Sequence, residues 1–127
     1  MDSASLRPIL LVDDEPDLLD ATRRRIEVAL PEVTIHAFTN GREALSALAG
    51  QPVGLAILDV DMPDISGLQL AEKLREAWPD LPVLFLTGTA KANMVPEFER
   101  VGAVDWLRKP VSGQVLVDTI ASHALRR

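Results

Sequence analysis

The 127-residue chain contains no cysteine. Disulfide frameworks, thiolate zinc sites and cysteine nucleophiles are excluded, so the fold must be held by its core. Basic residues are outnumbered: 13 Lys and Arg stand against 19 Asp and Glu, for a formal charge of -6. That balance argues against the concentrated basic face an autonomous nucleic-acid-binding module needs. Long apolar runs are missing too. Hydrophobic residues make up 47% of the chain, but they come in short pieces, none near the ~20 residues of a membrane span. The opening stretch, MDSASLRPILLVDD, lacks the basic segment, apolar stretch and small-residue cleavage site of a secretory signal. Repeats, low-complexity tracts and linkers are absent as well. The expectation is one acidic, soluble, cytoplasmic domain over residues 1–127, with its core from about residue 9 to 125. Folding at this size removes about two-thirds of the unfolded surface from water, enough for one real core.

What the chain does have is an alternation of two apolar patterns. Short runs rich in Val, Ile and Leu at Ile9–Val12, Val33–Phe38, Leu55–Leu58, Val83–Leu86 and Val104–Leu107 predict strands buried on both faces. Between them, helical spacing links Leu18, Leu19, Thr22, Ile26 and Leu30, with Arg23, Arg24 and Arg25 mostly on the solvated side. A second helix follows Asn40-Gly41 and carries Ala44, Leu45 and Leu48. A third carries Leu70, Ala71, Leu74 and Trp78, with Ser66 as its N-cap and Pro79 beyond its end. The last carries Val115, Leu116, Ile120 and Ala124. Between Thr89 and Gly102 the pattern is weakest. Pro96 cannot sit deep in a helix, so a short helix starting near it is expected. Alternating strands and helices imply an α/β fold, a parallel sheet with helices on both faces joined by right-handed crossovers. Ligands in such folds bind beyond the carboxyl ends of the strands.

The residues at those ends are Asp13 and Asp14 after the first strand, Asp59 after the third, Thr87 after the fourth and Lys109 after the fifth. Singly, each has an ordinary reading: Asp14 could cap the first helix, and Thr87 could belong to a turn. Jointly they do not. Carboxylates ~4 Å apart repel by about 4 kcal/mol per pair at an effective dielectric near 20, and nothing structural requires that. A hard divalent cation removes the problem, and an oxygen-rich pocket with open positions suits Mg²⁺, with Mn²⁺ as the alternative. A carboxylate such as Asp59 can then accept a phosphoryl group as an acyl phosphate. The charge on the group's three oxygens would be met by the metal, by the Lys109 ammonium, and by the Thr87 hydroxyl with nearby backbone N–H groups.

The segments VDD (Val12–Asp14), LDVDMPDISG (Leu58–Gly67), LTG (Leu86–Gly88) and LRKP (Leu107–Pro110) resemble, in order and spacing, the receiver domain of bacterial two-component response regulators. The resemblance runs from about Ile9 to Leu125. It implies a doubly wound, flavodoxin-like sheet of order 2-1-3-4-5. It implies phosphorylation of Asp59 by a sensor histidine kinase or phosphotransfer protein, a regulator and not an enzyme. It further implies metal binding by Asp14 and Asp59 directly, by Asp13 largely through water, and by the Asp61 backbone carbonyl. The Asp61 and Gly88 amides would meet the phosphoryl oxygens, and the Lys109–Pro110 peptide would be cis. Asp61 and Thr89 would tune phosphoryl lifetime. Helix 4, strand 5 and helix 5 would form the signalling face, with a monomer or a phosphorylation-linked homodimer as the assembly, and with neither nucleic acid nor membrane as a direct partner.

Two features depart from the family pattern. Trp106 stands where Tyr or Phe is usual, either as a switch residue or as half-buried packing. Pro96 alters the fourth helix, leaving Met94, Val95 and Phe98 as either a docking patch or core contacts. His36 and His123 have no neighbours suited to catalysis or metal binding, and read as structural. Three other readings compete. Asp59-Val60-Asp61 resembles the DxD start of haloacid-dehalogenase-like phosphatases, but Pro63 replaces the usual Thr or Val and the Asp13-Asp14 pair would be unexplained. A nucleotide-binding fold is disfavoured because Asp13-Asp14-Glu15-Pro16 has no glycine and would repel a pyrophosphate. A degenerate receiver that works without phosphorylation is the third. No output domain is expected in this chain, which suits either a stand-alone regulator or a piece of a longer one.

Overall fold

Five strands, β1 (Ile9–Val12), β2 (Ile35–Phe38), β3 (Leu55–Asp59), β4 (Val83–Thr87) and β5 (Ala103–Arg108), form one sheet of order β2-β1-β3-β4-β5. All neighbouring pairs are parallel. The helices between and after them are α1 (Pro16–Ala29), α2 (Gly41–Ala47), α3 (Gly67–Ala77), α4 (Val95–Arg100) and α5 (Gly113–His123). This computed structural model describes residues 5–88 and 94–127. The expected doubly wound α/β architecture is what the chain adopts.

Alternation along the strands divides the core in two. Leu10, Val12, Ala56, Leu58, Val83 and Phe85 face one way and pack with Ala44, Leu48, Leu70, Leu74 and Phe98 of the α2–α3–α4 side. Ile9, Leu11, Leu55, Ile57, Leu84 and Leu86 face the other and pack with Leu19, Ile26, Leu116 and Ile120 of α1 and α5. The central strands β1, β3 and β4 are buried along their length. β2 and β5 differ from expectation. As edge strands they are only partly covered, and β2 begins at Ile35 instead of Val33, which is buried but lies before the strand.

Local chemistry sets the helix ends. Ser66 caps α3 in a capping box: its Oγ accepts the Gln69 N–H, and the Gln69 side chain accepts the Ser66 N–H. Asn40 and Ser112 cap α2 and α5 through their side chains. Pro96 lies in the first turn of the six-residue α4, where its missing N–H has no helical partner to lose. Asp14 does not cap α1, contrary to the alternative reading of that residue. With Pro16 opening the helix, the N-cap is Glu15, and its N–H is taken by Asp13 Oδ1 at 3.0 Å. Leu18, expected on the buried side of α1, is 43% exposed. α5 ends at His123, with Ala124 extended, and the chain then turns back. Leu6 and Arg126 form an antiparallel bridge, and the Leu125 N–H donates to the Gly54 carbonyl, so ordered packing extends beyond residues 9–125. Arg75 of α3 closes the same end of the sheet, donating from Nη1 to the Leu81 carbonyl at 2.7 Å and reaching the Gly102 carbonyl at 3.5 Å. Gly102 has φ +78°, and a Cβ there would run into the Arg75 guanidinium.

Candidate functional site

β1 and β3 lie side by side, with Val12 opposite Leu58, so the residues that follow, Asp13 and Asp59, emerge together at the carboxyl edge. β4 and β5 bring Thr87 and Arg108 opposite each other, with Lys109 next along the chain. The topology therefore gathers the carboxylates and the lysine from distant parts of the sequence. One carboxylate oxygen from each of Asp13, Asp14 and Asp59 falls within a 4.8 Å span. Asp13 and Asp59 are 4% and 6% exposed, and Asp14 is half-buried.

Lys109 spans the group. Its Nζ donates to Asp13 Oδ2 at 2.8 Å and lies 3.4 Å from Asp59 Oδ2. Its backbone N–H donates to the Thr87 carbonyl at 2.8 Å, and the Lys109–Pro110 peptide is cis. Thr87 itself is fully buried at the end of β4. The Asp61 N–H donates to Asp59 Oδ1 at 3.4 Å, while the rest of Asp61 is exposed. Gly88 is exposed, and apart from its chain neighbours no heavy atom of the described residues lies within 4 Å of where a Cβ would stand.

Charge and burial compete at Asp59. Burial raises its pKa to about 6; Lys109 opposes the rise, the negative charge of Asp13 adds to it, and the Asp61 N–H opposes it weakly. For Lys109, burial alone would lower the pKa, but the hydrogen bond and charge of Asp13, then those of Asp59, outweigh it and hold the amine above its ordinary value. At neutral pH the lysine is charged and Asp59 is largely ionised yet more basic than a solvated carboxylate.

Gly67, the last residue of the LDVDMPDISG segment, has a role that only the structure shows. A Cβ there would overlap the Asp59 carbonyl, and the Gly67 N–H donates to the Val60 carbonyl at 3.0 Å. The start of α3 is thus drawn against the backbone that presents Asp59, an approach only glycine permits. Trp106 is half-buried, its ring 5.8 Å from Phe98, which in turn stacks on Phe85 at 4.9 Å. Phe98 is 1% exposed and Met94 packs against the same core, so Phe98 is a core contact and not part of a docking patch. Thr89 lies outside the described residues. His36 and His123 lie in β2 and α5, outside the carboxylate group.

A family model for the response regulator receiver domain matches residues 9–121. The chain belongs to that family. This receiver domain is 36% identical over 117 residues to the response regulator protein FleR of Pseudomonas aeruginosa, covering 92% of this chain and 24% of FleR. It is 33% identical over 111 residues to the C4-dicarboxylate transport transcriptional regulatory protein DctD of Rhizobium meliloti, covering 87% of this chain and 24% of DctD. The receiver domain thus spans about a quarter of the length of these relatives. Among solved structures it resembles the chemotaxis protein CheY4 of Vibrio cholerae, with a TM-score of 0.86, 26% identity, and coverage of 94% of this chain and 99% of that one. No helix among the described residues is long and apolar enough to cross a membrane. Nothing in the fold or the comparisons supports the aspartyl-phosphatase alternative.

The donor set fits the divalent cation that the family implies. Three carboxylate oxygens within 4.8 Å are hard ligands of the kind Mg²⁺ takes, and they leave room for water and a substrate oxygen. No sulfur or imidazole competes in the group.

Proposed function

We propose that this receiver domain accepts a phosphoryl group on Asp59 from a phosphohistidine of a sensor kinase or phosphotransfer protein, and that the change is read by other proteins. The observation that carries the reading is the Lys109 ammonium placed between Asp13 and Asp59, at 2.8 and 3.4 Å, beside a third carboxylate. Two acids sharing one amine beside a third acid have an electrostatic cost, and phosphoryl transfer gives that arrangement a use.

Asp59 is the nucleophile because it is buried, ends a rigid strand and keeps its basicity high. One of its oxygens bonds to phosphorus as the phosphorus–nitrogen bond of the donor breaks, and the donor imidazole, already protonated on its other ring nitrogen, takes the bonding pair and leaves as the neutral ring. Lys109 neutralises negative charge on the phosphoryl oxygens; the Asp61 N–H and the backbone at Gly88 serve the remaining ones. The Thr87 hydroxyl has the same role. Asp14, Asp59 and the Asp61 carbonyl would hold Mg²⁺, with Asp13 acting largely through water, and the ion would supply positive charge to offset that of the phosphoryl oxygens. Mn²⁺ would serve in its place. Burial around Asp59 limits water's access to the acyl phosphate, and changes at Asp61 or Thr89 alter its lifetime.

The signalling face comprises α4, β5 and α5, with Trp106 at its centre as the residue that senses Thr87. The assembly is a monomer or a phosphorylation-linked homodimer, working in the cytoplasm. The deciding experiment is labelling by acetyl phosphate with and without Mg²⁺. Wild type gains one phosphoryl group with Mg²⁺ and Asp59→Asn gains none; wild type that stays unlabelled refutes the reading.

A further inference from the structure

The three consecutive arginines of α1 look alike in the sequence but are used differently. Arg23 and Arg24 turn to Asp20 of their own helix, at 2.6 and 3.1 Å. Arg25 leaves the helix. Its Nη1 donates to the carbonyl of Val111 at 2.9 Å, across a separation of 86 residues. Its stem crosses the start of α5, where a Cβ on Gly113 would lie 3.8 Å from the Arg25 Cδ. Arg25 also lies between two depressions. One, of about 320 Å³, is lined by Asp13, Lys109 and Pro110 among others; the second, of about 390 Å³, runs between α1 and α5 past Val28 and Val117.

Val111 belongs to the same short connection as Lys109. The Lys109 N–H is tied to the Thr87 carbonyl on one side, and the Val111 carbonyl is tied to Arg25 on the other. The loop that aims the ammonium is held at both ends, once by the sheet and once by α1. The aim is fine, since Nζ is 2.8 Å from Asp13 and 3.4 Å from Asp59. A shift of a few tenths of an ångström decides which carboxylate the amine serves. We propose that Arg25 is a positioning residue for Lys109, which, through the Val111 carbonyl, keeps the amine over the acidic group; this rests on the phosphoryl-binding role proposed for Lys109.

Two variants separate the hydrogen bond from the packing. Arg25→Met keeps an aliphatic stem over Gly113 but has no donor, whereas Arg25→Lys keeps a cationic donor. The full chain, free of metal, is pulsed with dilute acetic anhydride, and acylation of Lys109 is read by mass spectrometry against the exposed Lys73 of α3. In Arg25→Met, Lys109 acylates about fivefold faster, the scale of one exposed hydrogen bond lost, while Arg25→Lys stays within about twofold of wild type. Phosphorylation by acetyl phosphate slows by a similar factor in Arg25→Met. The Mg²⁺ concentration giving half the maximal rate does not change, because the carboxylates follow β1 and β3 and not this loop. Losing one hydrogen bond lowers the melting temperature of Arg25→Met by about 5 °C at most, and a larger fall shows a general loss of stability and overturns the proposal. So does unchanged acylation of Lys109, equal acceleration in both variants, or faster acylation without slower phosphorylation. In those three cases, normal phosphorylation of wild type leaves the proposed function standing; a wild type that cannot be phosphorylated removes both.

Discussion

Replacing Asp59 with Asn is expected to stabilise the metal-free protein at neutral pH, although it removes the proposed phosphoacceptor. Burial pushes the Asp59 pKa from 3.8 to about 6, with the Asp13 charge adding to the effect and Lys109 only partly offsetting it. A rise of about two units, at ~1.36 kcal/mol per unit, sets an upper bound near 3 kcal/mol on the cost of holding this carboxylate ionised. Water at the mouth of the site and small side-chain shifts lower the figure, and a gain of about 1–2 kcal/mol is the working expectation. For a domain of this size that corresponds to a rise in melting temperature of roughly 3–8 °C. Lys109 is not stranded by the change, since it keeps Asp13 at 2.8 Å. The sign of the pH dependence follows from the raised folded-state pKa. Below the unfolded value of 3.8, Asp59 is protonated in both states and the variant gains little. Between about 4 and 6 the native state holds the proton longer than the unfolded state, so wild-type stability falls as pH rises; above that range the penalty is complete. The assay is urea unfolding in EDTA at pH 4, 6 and 7.5, read by circular dichroism. An Asn variant no more stable than wild type at pH 7.5, or an advantage of equal size at pH 4 and 7.5, would refute the reasoning.

Other changes probe neighbouring links. Lys109→Met removes the cation that lowers the Asp59 pKa, so the carboxyl carbon of Asp59 in an NMR titration should move with a midpoint above about 6. Phe98→Ala empties a buried site between Phe85 and Trp106 and should cost about 3–5 kcal/mol in chemical unfolding, with a red shift of Trp emission as Trp106 loses its cover. Gly67→Ala forces a methyl group into the Asp59 carbonyl, and should lower both melting temperature and Mg²⁺ affinity measured by calorimetry. Ser66→Ala removes half of the α3 capping box and should cost about 0.5–2 kcal/mol, while leaving Mg²⁺ affinity unchanged.

The sheet was readable because each central strand is a short apolar run, and a parallel sheet brings such runs' carboxyl ends together. The sequence alone therefore puts Asp13, Asp59 and Lys109 on one edge. Ser66 and Pro96 were readable for a local reason: caps and helix-opening prolines act on backbone groups a few residues away. What was not readable depends on distant partners. Arg25 looks like its two neighbours until Val111 is brought beside it. Phe98 could be surface or core until Phe85 and Trp106 enclose it, and the tight fit of Gly67 against Asp59 exists only after the loop between them has folded. Edge position did leave a mark: His36 in β2 and Asp105 in β5 interrupt runs that in the central strands are wholly apolar. Asp14 reads as a helix cap in the sequence, yet the N-cap is Glu15, and it is the Asp13 carboxylate that accepts the Glu15 N–H.

The spacing of Asp13, Asp14, Asp59 and Lys109 has a consequence for electroneutrality. Three carboxylates against one ammonium leave a formal deficit of two positive charges, which one divalent ion cancels and one sodium ion cannot. On the proposed function, forming the acyl phosphate at Asp59 would exchange one negative charge for two and reopen the imbalance by a single unit. A pocket balanced by the metal at rest and unbalanced once modified would pull inward on whatever hydrogen-bond donors border it, and that pull would last only as long as the phosphate.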